Sequence, residues 1–201
     1  IQSERQLMIQ QLQAGNYNIA GYEITNMLNG KYIIADPNNA QGILVNDQAN
    51  GAAWFVGQVV LVDSPDEELG QTQSINTKST AVIDQSKFNG IKADYSTNGT
   101  IDLVDYHPGY WKYESTNSAA GMAVFSEIHY PKGFEVSIDG EAVDMLRANY
   151  ILRALEVPAG NHTIEFKFVP SIYRTGSMIM KICSIFTVLL FAGSLYISLK
   201  E

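Results

Sequence analysis

Hydrophobic and polar positions divide this chain into a long alternating part and one continuous apolar stretch. Between residues 120 and 170, apolar residues recur at every second position, as in Ile164, Phe166 and Phe168, a pattern typical of strands with one buried face. Residues 182–199 contain no charged side chain. Their length approaches the roughly 20 apolar residues that cross a bilayer. The pattern therefore predicts a strand-rich folded part followed by one transmembrane helix.

The first third of the chain has mixed signals. Residues 3–14 consist of good helix formers, and Ser64 followed by Pro65 is typical of a helix start. We interpret the acidic run 66–68 as the solvated first turn of that helix, with a cation site as the alternative. The nearly continuous apolar run 52–63 predicts a single central strand covered on both faces.

From residue 80 onward the chain predicts short strands separated by turns. Asp139-Gly140 is the sequence of a two-residue type I′ hairpin, since both positions need a positive φ. The strands expected around it cover 134–138, 143–147, 150–157 and 162–168. No segment between residues 100 and 170 fits the helical crossover that a parallel sheet needs.

These elements predict a mainly β fold with a smaller α/β part, in which an antiparallel, jelly-roll-like β-sandwich precedes a single C-terminal transmembrane helix. We expect an N-terminal α/β portion at 1–85, the sandwich at 86–170, a linker at 171–177 and the transmembrane helix at 178–199.

Composition excludes some functions. A formal net charge of −8 and a pI near 4.8 argue against nucleic acid as a partner. The single cysteine, Cys183, lies inside the apolar stretch, so an intrachain disulfide is impossible. His107, His129 and His162 lack the spacing of a recognisable metal site. We therefore predict no metal ion, no cofactor and no catalytic residue in this chain. The missing initiator Met suggests a piece of a longer protein.

Aromatic residues are the best indication of a binding site. Six of them occur close together in the predicted sandwich: Tyr106, Tyr110, Trp111, Tyr113, Tyr130 and Tyr150. Such rings can hold sugars, although they can equally fill a core. The polar residues to test first are Arg147, Asn149 and Arg153, because two guanidinium groups can bind a phosphate or carboxylate; structural ion pairs are the alternative. Glu127 is interpreted as a cross-strand partner of Arg147 or Arg153.

The sandwich half also resembles a known family. The segments 125–134, 138–141, 147–153 and 157–166, in this order before a terminal apolar stretch, look like the C-terminal part of the YfhO family of bacterial membrane proteins. Segments 28–34, 53–56 and 81–84 are more loosely similar. Phe134 stands where the family usually has Trp, a conservative difference.

This resemblance implies a polytopic protein similar to the lipid-linked-sugar glycosyltransferases of the C superfold, which decorate cell-envelope polymers. The implied partners are membrane lipid, the remaining transmembrane spans of the parent, and a cell-envelope glycan or polyprenyl-phosphate sugar. The domain is then extracytoplasmic, whereas the flanking charges Arg174, Lys181 and Lys200 by themselves favour the cytoplasm. The alternative is a structural or protein-interaction sandwich without a ligand, and a third option is that this chain is itself an enzyme.

Overall fold

The computed structural model describes residues 2–16, 21–36, 38–39 and 42–200. Within them, the helices are α1 (Gln2–Gln13), α2 (Glu23–Met27), α3 (Pro65–Thr72) and α4 (Ser171–Ser198). The early strands are β1 (Tyr32–Ile34), β2 (Ile43–Val45), β3 (Ala53–Val56), β4 (Gln58–Val62) and β5 (Thr80–Asp84). The later strands are β6 (Gly99–His107), β7 (Tyr110–Asn117), β8 (Gly121–Ile128), β9 (Phe134–Ile138), β10 (Glu141–Ala142), β11 (Leu146–Ala148), β12 (Leu152–Val157) and β13 (Gly160–Phe168).

Two antiparallel sheets form a sandwich. One has the strand order β10-β9-β13-β7-β6 and the other the order β11-β12-β8-β3. Alternation along β8 sends Ala123 and Phe125 into the core between the two sheets, where they meet Tyr113, Ile164 and Phe166 of the facing sheet. The predicted mainly β fold with an antiparallel sandwich and a C-terminal apolar helix is confirmed.

The four-stranded sheet is buried on its other face as well. Met122 and Val124 point away from the sandwich core and pack with Val59 of β4 and with Ala81 and Ile83 of β5. Strands β4 and β5 are parallel and are joined through α3. This small α/β unit therefore covers the sheet, which explains why the middle strands are apolar on both sides.

The single strand predicted over 52–63 is wrong. The run breaks at Gly57, so that β3 pairs with β8 while β4 pairs with β5. The backbone N–H of Gly57 donates to the carbonyl of Ser79 over 2.9 Å, and a Cβ at Gly57 would lie 3.0 Å from the Thr97 side chain. Strand β3 lies before residue 85 and pairs with β8 beyond it, so the four-stranded sheet contains residues from both sides of the expected domain boundary. The division into two portions at residue 85 remains a prediction.

The hairpin at Asp139-Gly140 is confirmed, with φ values of 53° and 86° at its two central residues. The strand predicted over 143–147 is wrong in its limits. After the hairpin, β10 covers only Glu141–Ala142, and β11 pairs with β12 in the other sheet. The chain has to leave one sheet for the other in between, which interrupts the ladder.

Helix α4 begins at Ser171, separated from β13 by two residues, so that residues 171–177, expected as a linker, are part of the helix. It has 28 residues and a mean hydropathy of 2.0 over its most apolar window, so that it is long and apolar enough to cross a membrane. At its start, the N–H of Phe168 donates to the carbonyl of Gly109 over 2.7 Å, and the N–H of Val169 donates to Gly133 over 2.6 Å. The β6–β7 and β8–β9 turns therefore lie beside the point where α4 leaves the sandwich.

Candidate ligand-binding groove

Trp111 lies at one end of the sandwich, between two strands that fix its position. Residues Tyr106 and Trp111 are paired across β6 and β7, and their ring centroids are 5.6 Å apart. The indole N–H of Trp111 donates to Oε1 of Glu127 over 3.0 Å. Trp111 is half-buried, whereas Tyr106 is 60% exposed. An aromatic pair and a carboxylate are thus brought together.

Glu127 reaches this position because β8 is irregular there. The register between β12 and β8 shifts so that Leu152 is opposite Ile128 while Arg153 is opposite Phe125. The shift leaves Ser126 and Glu127 in a local bulge, the kind of irregularity that redirects side chains next to functional sites. The hydroxyl of Ser126 donates its single proton to the carbonyl of Gly51 over 2.6 Å, and its oxygen also lies 3.0 Å from the carbonyl oxygen of Met27, so that the bulge is fixed.

A cavity of about 290 Å³ opens beside these residues. It is lined by Leu28, Asn29, Ala52, Leu103, Tyr106, Trp111, Ser126 and Glu127, which we call the Trp111 groove. Asn29 follows α2 and has a φ of 56°. Among the described residues its buried side-chain oxygen has no hydrogen-bond partner. The groove is therefore lined by two aromatic rings, a carboxylate and an amide whose buried oxygen has no hydrogen-bond partner among the described residues.

Arg153 supports the groove from inside the sandwich. It is 3% exposed, and its guanidinium carbon lies 4.1 Å from the ring centroid of Phe134 and 5.0 Å from that of Trp111. Its Nε donates to the carbonyl of Ile128 over 3.0 Å. Burial lowers the pKa of this guanidinium, and the nearby carboxylate of Glu127 opposes that effect. Arg153 thus places a positive charge behind the aromatic rings.

Two of the predicted tyrosines have structural contacts. Tyr113 is 1% exposed and packs edge-on against Phe125, with ring centroids 4.9 Å apart, so that it is part of the core. Tyr110 alternates to the outer face of the sheet, where its hydroxyl donates to Glu165 over 2.5 Å. This hydrogen bond to a carboxylate raises the pKa of Tyr110 to about 12. Neither ring lines the Trp111 groove.

Arg147 and Asn149 lie against the α/β unit. Arg147 forms an ion pair with the buried carboxylate of Glu68, and its Nη2 is 3.8 Å from Oδ2 of Asp84. The side-chain oxygen of Asn149 accepts a hydrogen bond from the backbone N–H of Val82 over 2.9 Å. Arg147 and Arg153 are paired residues of β11 and β12, yet their guanidinium groups contact different residues.

The predicted site residues are therefore divided. Trp111 and Arg153 come together, and the sequence interpretation missed Asn29 as their neighbour and did not include Glu127 in the site. Glu127 could have been found as a charged residue within the otherwise apolar run of β8, whereas the position of Asn29 depends on contacts distant in sequence. Whether these residues bind a ligand stays a prediction.

The solvated helix start predicted at 66–68 is correct for Asp66 and Glu67 but wrong for Glu68, which is fully buried. The N-cap itself forms as expected, since the N–H of Glu67 donates to the Ser64 hydroxyl over 3.3 Å. Across the described ranges, no group of three or more histidine, cysteine or acidic residues is arranged to hold a metal ion.

Comparisons with known proteins identify the family. The model of the family described as "Bacterial membrane protein YfhO" matches residues 8–180, which is most of the chain. The comparisons with curated proteins and with solved structures each give no match. The matched range includes the α/β unit, both sheets of the sandwich and the first part of α4. The chain therefore belongs to the YfhO family of bacterial membrane proteins.

Proposed function

We propose that this chain is the extracytoplasmic accessory domain of a polytopic YfhO protein and that the Trp111 groove holds a sugar unit. The sugar is part of a cell-envelope glycan or of a polyprenyl-phosphate sugar. The transfer chemistry belongs to the remaining spans of the parent, a lipid-linked-sugar glycosyltransferase. One observation carries the proposal: an exposed Tyr106 ring and the Trp111 indole flank a cavity that also contains the carboxylate of Glu127.

The chemistry of the groove suits a sugar. A pyranose has an apolar C–H face that stacks on an aromatic ring, and its hydroxyls donate to acceptors at its edge. Glu127 provides charged acceptor oxygens, which form stronger hydrogen bonds than neutral ones. The volume of about 290 Å³ is at the lower limit of small-molecule sites, which suits one sugar unit and not a long oligosaccharide.

The binding experiment uses the whole chain in nanodiscs. Trp54 is replaced by Phe, so that Trp111 becomes the sole tryptophan and reports on the groove. The titrants are envelope oligosaccharides and a polyprenyl-phosphate sugar analogue. We expect a saturable fluorescence change at millimolar or lower ligand, and its loss in Glu127→Gln and Tyr106→Ala. Tyr32→Ala is the matched control, because Tyr32 is 69% exposed on β1 and is not among the residues that line the groove.

Two results would count against this function. If Trp111 fluorescence does not saturate at millimolar ligand, the groove is not a sugar site. If Glu127→Gln and Tyr32→Ala bind equally well, the ligand binds elsewhere.

The extracytoplasmic side is tested separately in intact cells carrying the full-length parent with Cys183→Ser and Asn161→Cys. A membrane-impermeant maleimide is expected to label the exposed position 161, and protection from it would contradict the orientation.

A second candidate function is a protein-interaction module without a ligand. The observation that favours it is the β1–β2 hairpin, where four apolar side chains are largely exposed: Tyr32, Ile34, Ile43 and Val45. Exposed apolar patches of this kind often mark contact surfaces. If this function is correct, the Trp111 titration gives no response, and the hairpin is covered by another part of the parent protein. The Tyr32→Ala variant then weakens assembly of the parent.

A further inference from the structure

The end of the sandwich next to α4 is built from two turns and the last residues of β13. The carbonyl of Gly109 in the β6–β7 turn accepts from Phe168, and the carbonyl of Gly133 in the β8–β9 turn accepts from Val169. A Cβ at Gly133 would lie only 3.1 Å from Pro170, so this turn is packed closely against the chain just before α4. Both turns are therefore hydrogen-bonded to residues that lie two or three positions before the first residue of α4.

The side chains at this end are exposed, and most of them are apolar or aromatic. We call this surface the membrane rim; its exposed members are His107, Tyr130, Lys132, Phe168, Val169, Ile172 and Tyr173. Tyr130 is 50% exposed, Phe168 43% and Tyr173 76%. Tyrosines with an apolar body and a polar tip are enriched where proteins meet the bilayer interface.

Lys132 of the rim and two residues in the first turns of α4, Arg174 and Lys181, make this end of the chain locally basic, although Asp105 and Glu135 border it. The whole sequence has 21 acidic and 13 basic residues. The segments 106–110, 129–133 and 168–181 together contain Lys132, Arg174 and Lys181 but no Asp or Glu. A basic surface beside a transmembrane helix is attracted to anionic lipid headgroups.

The length of α4 determines how far the rim lies above the hydrocarbon core of the bilayer. With a rise of 1.5 Å per residue, a span of about 20 residues that ends at Ser198 begins near Met178, and Ser171 lies roughly 10 Å above that point. The headgroup layer on each side of a bilayer is roughly 5–8 Å thick, the difference between a hydrocarbon core of about 30 Å and a total of about 40–45 Å. The start of α4 therefore lies at or just beyond the outer edge of the headgroup layer, and the turns beside Phe168 lie close to the membrane surface.

We propose that the membrane rim rests on the bilayer and binds the headgroups of anionic phospholipids. Continuity with α4 determines which surface faces the lipid, the exposed tyrosines suit the interface, and the three basic residues select negatively charged lipid. The domain is then seated on the membrane and does not turn freely above it. This inference requires no ligand in the Trp111 groove.

The test measures membrane contact at single positions of the whole chain in nanodiscs. In a Cys183→Ser background, a nitroxide is attached to Tyr130→Cys or, as a second site of the same turn, to Lys132→Cys. The control is Asn161→Cys at the opposite end of β13, where Gly160 begins a strand of nine residues. Nine residues of strand span roughly 27 Å, so that this label is held far from the rim.

The accessibility of each nitroxide label is measured with two reagents, oxygen, which concentrates in lipid, and a water-soluble nickel chelate. We expect a several-fold higher ratio of oxygen to nickel accessibility at positions 130 and 132 than at 161. Equal ratios at all three positions would overturn the proposal. Trp111 fluorescence in each variant shows that the sandwich is folded.

Changing the lipid composition of the nanodiscs tests the electrostatic contribution to this membrane contact. In nanodiscs with phosphatidylglycerol, the label at position 130 is expected to be less mobile and less accessible to nickel than in pure phosphatidylcholine. Lys132→Glu in the Tyr130→Cys chain is expected to remove most of that difference. If both lipids give the same accessibility and the substitution has no effect, the rim does not recognise anionic headgroups.

Discussion

Arg147 provides the sharpest test of how the α/β unit is attached to the sandwich. The side chains of Glu68 in α3 and Asp84 in β5 are both fully buried, and the side chain of Arg147 is only 18% exposed. The Nη2 of Arg147 contacts both carboxylates. Glu68 also accepts the backbone N–H of Tyr150 over 3.0 Å. One guanidinium thus connects the edge strand β11 to both α3 and β5.

Replacing Arg147 by Ala leaves the buried carboxylate of Glu68 without a cation and leaves Asp84 with only the exposed Lys87 nearby. Breaking a buried ion pair from one side costs about 3–5 kcal/mol, because the remaining charge stays desolvated. We expect the free energy of unfolding to fall by that amount at neutral pH. The measurement is urea unfolding of the detergent-solubilised chain, followed by the fluorescence of Trp54, which packs in the same core as Ala81 and Ile83.

The dependence of the unfolding free energy on pH gives an independent test of the Arg147–Glu68 ion pair. Burial raises the pKa of Glu68 above its ordinary value of 4.5, while Arg147 counteracts that rise. A raised pKa means that the folded state binds more protons than the unfolded state, so stability falls as the pH increases from 4.5 through the folded pKa. Without Arg147 that pKa is higher still. We therefore expect the loss in Arg147→Ala to be smaller near about pH 5 than at neutral pH.

Two variants serve as controls. Lys87 also lies near Asp84, at 4.0 Å, but its side chain is 51% exposed. Lys87→Ala should therefore cost less than about 1 kcal/mol. The double variant Arg147→Ala with Glu68→Gln removes one uncompensated charge and should recover part of the loss. Equal costs for Arg147→Ala and Lys87→Ala, or a loss that does not change with pH, would refute this reasoning.

Two further predictions concern histidine ionisation and one backbone contact. The hydrogen bond to Asp139 (2.7 Å) raises the pKa of His162 above 6.5, so that this pair's stabilisation, complete below 6.5, is lost as the pH rises through the raised value. Burial and the charge of Arg147 lower the pKa of His129. An NMR titration should show His162 above and His129 below 6.5, with Asp139→Asn lowering only the former; unchanged values would contradict the pairing. Asn149→Ala should cost about 1–3 kcal/mol in urea unfolding, because it leaves a buried backbone N–H without its acceptor, and a loss below about 0.5 kcal/mol would contradict that contact.

The sequence predicted the sandwich well because its strands follow a strict alternation. Residues such as Ala123 and Phe125 lie on one face of β8 and Met122 and Val124 on the other, as a period of two requires. The single strand predicted over 52–63 is wrong because the apolar residues of this run belong to two buried strands, which separate at Gly57 through hydrogen bonds with Ser79 and Tyr95, both distant in sequence.

The candidate site was harder to predict than the fold. Alternation in β7 places Trp111 and Tyr113 on one face, but it does not distinguish a ring at the open end of the sandwich from one in its centre. The burial of Arg153 and Arg147 depends on which partners reach them from distant strands. Glu68 is the clearest example: an acidic residue in the first turn of a helix is normally solvated, and here it is buried by its contact with β11.

The position of the Trp111 groove bears on which ligand it can meet. Trp111 pairs with Phe166, and α4 begins five residues later at Ser171. Two strand residues and a short connection cover roughly 15 Å at about 3.3 Å per residue. The groove is therefore close to the lipid surface, where a polyprenyl-phosphate sugar is anchored and where a membrane-bound acceptor begins. A polymer held far from the membrane would have to fold back to reach it. For the sugar site that we propose, this location thus favours a membrane-anchored sugar over a distant wall polymer.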